Sequence, residues 1–253
     1  MTKNLPPRIA IPMPHSSDPK YAERAIPQYE RAVELAGGTP VRIPLDQSPA
    51  GVKNMIAGCD GVLLPGSNAD VDPARFHAER SRRTAAADPR RDDVDNLLLD
   101  DAYALRKPVL CICYGLQSLN VYRTGSLVQH IPDYLPKETR GKINHAIGGK
   151  MVVAHTVEID AGSRLGGIIA GRAGSEGTRP VVVPVNSSHH QSADAIGTGL
   201  RVVARCPDDG IVEALEGTAP DHFVVAVQWH PERSVSEDAA SGAIFKALID
   251  AAR

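Results

Sequence analysis

The chain has 253 residues, of which 42% are hydrophobic and 23% charged, and its formal net charge is −2. This composition is typical of a globular protein with a sizeable core, in one large α/β domain or two small ones. A near-neutral charge without a basic tract gives no electrostatic reason to expect binding to nucleic acid or an anionic membrane. Since no apolar signal segment and no run of roughly 18 apolar residues is present, we expect a cytoplasmic protein.

The first half of the chain alternates apolar runs with segments of helical periodicity. The predicted strands lie at 8–13, 40–44 and 60–65, and the predicted helices at 22–36, 47–59 and 92–106. Near-continuous apolar strands that alternate with helices are typical of a parallel sheet covered on both faces. The second half offers mainly strands, predicted at 151–159, 180–185, 200–206, 211–215 and 223–229. We expect a mixed sheet or an antiparallel edge there.

The end of the chain has a helix start signal. The stretch Ser234-Val235-Ser236-Glu237 matches a capping box and predicts a final helix directly after it. Segments 78–93 and 135–149 are rich in charge, alanine or glycine and are predicted to be mobile surface loops. The charged residues of 78–93 are expected to form a solvated face. Because no linker divides the chain, we predict a single domain over residues 1–253.

Four cysteines in a chain without a secretory signal do not predict a disulfide framework. Cys59 and Cys206 lie beside apolar segments and are predicted to be buried thiols. Cys111 and Cys113 lie two positions apart at the end of an apolar run, with no second cysteine pair to complete a zinc site. A disulfide between them would be strained, whereas Cys111 fits a buried strand position.

Cys113 differs from Cys111 because the strand stops there. A nucleophile at a tight strand-to-helix turn projects from the carboxyl end of a sheet, and the turn needs small residues two positions before and after it. Cys111 and Gly115 occupy those positions. The N-terminus of the following helix would favour a thiolate, and the Tyr114 amide could donate to an oxyanion. The local sequence leaves a nucleophilic cysteine and a core cysteine equally open.

A second segment, Gln228-Trp229-His230-Pro231-Glu232, follows an apolar strand more than a hundred residues later. At the carboxyl end of its strand, His230 could deprotonate Cys113. Glu232 could hold the imidazole in the useful tautomer, and Pro231 restricts the backbone between them. An isolated histidine is more often structural, but its combination with Cys113 favours a Cys–His–Glu site.

The segments CYGLQ (113–117) and QWHPE (228–232) together resemble class I glutamine amidotransferases. Within that fold, the chain is similar to the γ-glutamyl-γ-aminobutyrate hydrolase branch of free-standing γ-glutamyl hydrolases. Further similar segments are LLPGSNADVDPARF (63–76), the stretch 120–129, His155-x-Val157-x-Ile159, VNSSHHQS (185–192) and DGIVEALE (209–216). The resemblance implies a flavodoxin-like three-layer αβα fold, with a mostly parallel central sheet and additional antiparallel strands in the C-terminal half.

The resemblance also implies a mechanism. Cys113 would be the nucleophile, His230 the base and acid, and Glu232 the orienting carboxylate. The reaction would pass through a γ-glutamyl thioester, with no metal and no organic cofactor. The implied partner is a small γ-glutamyl substrate, of the kind found in polyamine catabolism. No nucleic acid or membrane partner is expected, and the chain could form a homodimer.

Six further residues receive implied roles. The oxyanion hole would consist of the amides of Tyr114, Gly66 and Ser67. The γ-glutamyl group would lie near Gln117, Ser188 and His189. Outside this set, Asp70 and Asp72 are expected to cap a turn, and five histidines are expected to be structural or at the surface: His15, His77, His130, His145 and His222.

Three positions depart from the family pattern. Cys111 occurs where glycine is usual, Ser67 where a second glycine is common, and Tyr114 where this branch often has arginine. A left-handed backbone would be harder for serine than for glycine. Two other functions would use the same residues: a glutaminase subunit that supplies ammonia to a separate synthetase, and a non-catalytic binding protein that has kept the pocket. The segments 70–73 and 186–191 favour the hydrolase.

Overall fold

A nine-stranded sheet flanked by helices forms the centre of the molecule. The structure is a computed structural model that describes residues 5–148, 153–171 and 179–253. The strands are β1 (Arg8–Pro12), β2 (Thr39–Ile43), β3 (Gly61–Leu64), β4 (Val109–Ile112), β5 (Leu127–Val128), β6 (His155–Ile159), β7 (Val181–Val185), β8 (Ser192–Ala193), β9 (Leu200–Arg205), β10 (Val212–Gly217) and β11 (Val224–Val227). The helices are α1 (Pro19–Leu35), α2 (Pro49–Ile56), α3 (Pro89–Leu105), α4 (Tyr114–Tyr122), α5 (Ile131–Tyr134), α6 (Arg164–Ala170) and α7 (Ala239–Ala251).

The sheet has a parallel half and an antiparallel half. Strands β2, β1, β3, β4 and β11 pair in parallel in that spatial order. This is the flavodoxin-like order, with β11 in the fifth place. Strands β10, β9, β6 and β7 then continue the sheet with antiparallel pairings. The predicted α/β fold, with antiparallel strands in the C-terminal half, is therefore confirmed.

Helices cover both faces of the parallel half. Successive strand residues point to opposite faces, so neighbouring side chains enter different cores. On β4, Leu110 packs in the core that α1 and α7 close, whereas Cys111 packs in the core that α2, α3 and α4 close. The result is the three-layer arrangement that the apolar strands predict.

The last helix starts later than its capping box predicts. Its N-cap is Asp238, whose carboxylate accepts the amides of Ala240 and Ser241. Ser234 lies earlier, and its carbonyl accepts the Asp238 amide in a turn. The prediction of a Ser234 cap is therefore wrong, because the chain first makes this turn.

The predicted surface loop at 78–93 is also partly wrong. Helix α3 begins at Pro89, with Asp88 as its N-cap. Arg91 is fully buried, and Asp88 and Asp92 are buried as well, so this end of the segment is not a solvated face. The loop predicted at 135–149 likewise contains the buried His145. Residue 149, and residues 151 and 152 of a predicted strand, lie outside the described residues.

None of the helices in the three described ranges has both the length and the apolar composition that crossing a membrane requires.

Candidate active site

Cys113 lies at a strained turn between β4 and α4. It is the N-cap residue of α4 and has φ 53° and ψ −106°. A positive φ is uncommon for a non-glycine residue and marks stored backbone strain. The Cys113 amide is held by the Val227 carbonyl of β11 at 2.8 Å. The geometry is that of a nucleophile presented at the carboxyl end of a central strand.

The position two residues after Cys113 requires glycine. A Cβ on Gly115 would lie only 2.3 Å from the Leu64 carbonyl oxygen, so any side chain there would push α4 away from β3. Two residues before Cys113, Cys111 fills a fully buried site in the core on the α3 side. Burial raises the pKa of the Cys111 thiol well above its ordinary value, which makes this cysteine a packing residue.

His230 reaches the same edge of the sheet from the neighbouring strand. Strands β4 and β11 are parallel, and Ile112 pairs with Val227, so both chains leave the sheet side by side. The Asn186 side chain clamps the His230 backbone with two hydrogen bonds, one accepted from the amide at 2.9 Å and one donated to the carbonyl at 2.8 Å. Asn186 lies in the segment VNSSHHQS (185–192), which resembles the family, but the sequence does not predict that its side chain binds the His230 backbone.

The Glu232 carboxylate orients the His230 ring. Its Oε1 lies 2.7 Å from Nδ1, and both side chains are buried. The other ring nitrogen, Nε2, is buried and has no hydrogen-bond partner among the described residues. Burial lowers the pKa of His230, but the Glu232 carboxylate and the neighbouring Cys113 raise it more, to about 9. The imidazole therefore favours its charged form.

The turn after β3 lies close to both Cys113 and His230. A Cβ on Gly66 would lie 3.1 Å from Cε1 of His230 and 3.6 Å from Cβ of Cys113. The Gly66 amide donates to the Tyr29 hydroxyl at 3.0 Å, so this predicted oxyanion donor already has an acceptor. Ser67 does not have a positive φ, and its hydroxyl accepts the Ala69 amide. The substitution of glycine by serine therefore causes no left-handed strain here.

The side chain of Tyr114 is buried in a polar pocket behind the turn. Its hydroxyl donates to the Asp92 carboxylate at 2.6 Å, and the Arg91 guanidinium lies 5.0 Å from its ring centre. The Tyr114 amide is in the first turn of α4, where amides have no acceptor within the helix. The Tyr114 side chain thus anchors the start of α4, while its amide has no acceptor within the helix.

Arg91 connects the pieces of this pocket. Its guanidinium pairs with Asp95 at 2.7 Å and donates to the carbonyls of Pro65 at 2.7 Å and Pro14 at 3.1 Å. Pro65 immediately precedes Gly66, so the hydrogen bond from Arg91 anchors the turn after β3. The sequence does not single out Arg91, because arginine in a charged segment is normally exposed. The only available signal is the i, i+4 spacing of Arg91 and Asp95.

The three residues predicted near the substrate separate into two environments. Ser188 is half-buried and lines a cleft of about 560 Å³ together with Glu232. Gln117 is buried, and its amide donates to the Gln191 carbonyl and the Gln228 side chain. His189 is also buried, with Nδ1 2.9 Å from the Gln191 carbonyl. Gln117 and His189 therefore do not line this cleft, and neither do Cys113 and His230; the cleft reaches the predicted triad through Glu232.

Two arginines and one carboxylate line the cleft. Arg24 and Arg233 line it from α1 and from the turn after His230, and the Nε atom of Arg233 lies 3.6 Å from the Glu232 carboxylate. Two tyrosines of α1, Tyr21 and Tyr29, form part of its wall. Guanidinium groups bind carboxylates with paired hydrogen bonds, so this lining suits a substrate with carboxylate groups.

A flavodoxin-like sheet with a strained cysteine after one central strand and a His–Glu pair after the next defines a domain of the class I glutamine amidotransferase type. Solved structures share this fold. The glutaminase domain of Trypanosoma brucei CTPS with bound acivicin gives a TM-score of 0.60 at 17% identity, covering 97% of this chain and 93% of that one. PurLQS from Thermotoga maritima gives 0.58 at 16% identity, covering 97% and 98%.

The chain belongs to the peptidase C26 family, whose model matches residues 9–232. The γ-glutamyl-γ-aminobutyrate hydrolase PuuD of Escherichia coli K12 is 33% identical, over 88% of this chain and 84% of that protein. A glutamine amidotransferase-like protein of Rickettsia prowazekii is 30% identical, over 93% and 90%. The predicted family is confirmed, and it places the chain among class I glutamine amidotransferase-like hydrolases of amide bonds.

Proposed function

We propose that this chain is a cysteine-dependent hydrolase that cleaves the γ-glutamyl amide bond of γ-glutamylated small amines or amino acids. The observation that carries the proposal is that Cys113 and His230 follow two paired parallel strands and both lie beside Gly66. Nδ1 of His230 is bonded to Glu232, and its buried Nε2 has no hydrogen-bond partner among the described residues. This arrangement supports the proposal of an activated thiol nucleophile.

In the proposed reaction, the Cys113 thiolate attacks the γ-carbonyl carbon and forms a tetrahedral intermediate. The amides of Tyr114 and Ser67 are the proposed donors to its oxyanion. The His230 imidazolium then gives its proton to the leaving amine, and a γ-glutamyl thioester remains. The neutral imidazole next removes a proton from water, and the hydroxide releases glutamate and restores the thiolate.

The cleft beside the triad supports a substrate with carboxylates. Arg24 and Arg233 offer charge for the α-carboxylate of the glutamyl group or for an acidic leaving amine, and Ser188 offers a hydroxyl. The relative of 33% identity named as a γ-glutamyl-γ-aminobutyrate hydrolase acts on a substrate of this kind. Both facts favour γ-glutamyl amino acids over simple γ-glutamyl amines.

A substrate panel tests this function. Purified protein is given γ-glutamyl-γ-aminobutyrate, γ-glutamyl amines without a second carboxylate, and glutamine, and glutamate release is measured. We expect the highest kcat/KM for the first. Glutamine turnover that exceeds the others, above all if it needs an added synthetase, would instead identify a glutaminase subunit. If no γ-glutamyl amide is hydrolysed, the chain is instead a non-catalytic binding protein.

The pH profile tests the role of Glu232. Because the pKa of His230 is raised from 6.5 to about 9, its proton is present below that pH and lost above it. We expect kcat/KM to fall above about pH 9, because His230 is then neutral and cannot protonate the leaving amine. The stability that this charge contributes follows the same sign: it is complete below pH 6.5 and disappears as the pH rises through about 9.

Glu232→Gln removes the carboxylate that contributes most to the raised pKa. We expect the alkaline limb of kcat/KM to move to lower pH in this variant. Asp250→Asn, a change at an exposed carboxylate of α7, serves as the control and should keep the wild-type profile. An unchanged alkaline limb in Glu232→Gln would contradict the assignment of the limb to the His230–Glu232 pair.

A further inference from the structure

A second cluster of titratable side chains lies outside the proposed triad. His145, His155, His189 and Glu213 come from four separate parts of the chain, and all four are buried. The Glu213 Oε1 atom lies 3.2 Å from Nδ1 of His145, 3.5 Å from Nε2 of His155 and 3.6 Å from Nε2 of His189. One atom of each residue falls within 4.8 Å of the other three.

The outer nitrogens of the three rings fix their tautomers. Nε2 of His145 lies 2.9 Å from the Asp209 carboxylate, Nδ1 of His155 lies 3.1 Å from the Thr156 carbonyl, and Nδ1 of His189 lies 2.9 Å from the Gln191 carbonyl. These oxygens only accept, so each outer nitrogen carries the hydrogen. In the neutral rings, the inner nitrogens therefore present lone pairs.

The inner atoms have no donor to satisfy them. Nδ1 of His145, Nε2 of His155, Nε2 of His189 and both carboxylate oxygens of Glu213 lack a hydrogen-bond partner among the described residues. Buried polar atoms in native proteins are almost always satisfied, and four converging acceptors cannot satisfy one another. The centre of the cluster therefore calls for a positively charged occupant.

The spacing fits a tetrahedral metal ion. Bonds of about 2.0–2.1 Å to nitrogen and oxygen place tetrahedral ligands about 3.3 Å apart. The three nitrogens lie 3.2–3.6 Å from the carboxylate oxygen. Imidazoles with a hydrogen-bonded outer nitrogen are the usual form of metal-binding histidine, and the carboxylate of Asp209 supplies the outer partner for His145.

We propose that His145, His155, His189 and Glu213 bind one divalent transition-metal ion, of the zinc class, in a closed structural site. Four protein ligands leave no open position, so the ion would not take part in the hydrolysis. Two negative carboxylates, Glu213 and Asp209, would balance its charge. An ion with imidazole and carboxylate ligands also suits zinc better than a cation that prefers oxygen alone.

The site would fix one wall of the cleft. His189 belongs to the segment 186–191, whose Asn186 clamps the His230 backbone and whose Ser188 lines the cleft. The His145 carbonyl accepts the amide of His189, and Glu213 is on the central strand β10. A metal ion that joins these segments would therefore hold the segment 186–191 against the sheet.

Metal analysis of the full chain is the direct test. Protein stripped with a chelator is dialysed against excess Zn²⁺ or Co²⁺, freed of unbound ion and measured by plasma mass spectrometry. We expect about one ion per chain, a higher Tm, and in the Co²⁺ form the intense visible absorption of a tetrahedral site. The cobalt spectrum is recorded in a Cys113→Ala background, where it should lack a thiolate charge-transfer band.

Two variants locate the ion. His155→Gln and Glu213→Gln should each lose the retained ion and the metal-dependent rise in Tm, whereas His222→Gln, a change at a buried histidine bonded to the Lys107 carbonyl outside the cluster, should keep both. If a cluster variant does not fold, the Co²⁺ spectrum of otherwise intact protein still decides. If the protein without cluster substitutions does not retain an ion, or shows no rise in Tm with the ion, the proposal is overturned. The positive charge at the centre of the cluster would then be a proton. Retention in Glu213→Gln equal to wild type would also overturn the proposal.

Discussion

Cys113→Ala is expected to lower turnover of γ-glutamyl amides by at least about 10³-fold, with the fold and ligand binding retained. The thiol is the only group lost, and alanine keeps the Cβ that cysteine already has at this positive-φ position. Rates of glutamate release, a thermal melt and ligand-induced change in Tm measure the three parts of this expectation. Cys59→Ala, which removes a buried thiol at the end of α2, is the matched control and should keep turnover.

Alkylation provides an independent measure of the same thiol. Iodoacetamide at near-neutral pH should label Cys113 faster than Cys59 or Cys206, because burial raises the pKa of both other thiols, that of Cys206 to about 12. Labelling should disappear from that site in Cys113→Ala. Turnover that persists in Cys113→Ala would exclude the thioester mechanism, and equal labelling of the cysteines would contradict thiolate activation.

Arg91→Met is expected to lower the free energy of unfolding by about 3–5 kcal/mol. The change leaves the Asp95 carboxylate buried without its partner and removes the donors to Pro65 and Pro14. Urea denaturation of wild type and variant measures the loss. Arg90→Met is the matched control, since Arg90 is exposed on the same helix and its change should stay within about 0.5 kcal/mol of wild type.

A second change separates the buried charge from packing. Adding Asp95→Asn to Arg91→Met removes the unpaired carboxylate, so the double variant should recover part of the lost stability. Equal destabilisation in Arg91→Met and Arg90→Met would show that the buried pair does not anchor the turn before Gly66.

The sequence predicts the sheet, and the placement of Cys113 and His230 directly after apolar strands, because both follow short-range patterns. Apolar runs such as that before Cys113 predict β4 directly, and His230 with Glu232 follows another such run. Arg91 is different, since nothing local distinguishes it from the exposed Arg90 next to it. The cluster around Glu213 is different again: its histidines are 10 to 44 positions apart in sequence and meet only when three segments pack on β10. The cysteine spacing, which argues against a zinc site at Cys111 and Cys113, therefore carries no information about this histidine cluster.

The position of β11 between β4 and β10 has a consequence for synthesis of the chain. Until residue 227 is available, β4 is an unpaired apolar edge, and Cys113 lacks the Val227 carbonyl that holds its amide. The ribosome makes β11 more than a hundred residues after β4, when most of the other strands of the sheet can already form. Until then, the nascent chain carries the proposed nucleophile without the histidine that is proposed to activate it. In the proposed mechanism, the thiol therefore becomes active only after β11 has paired with β4.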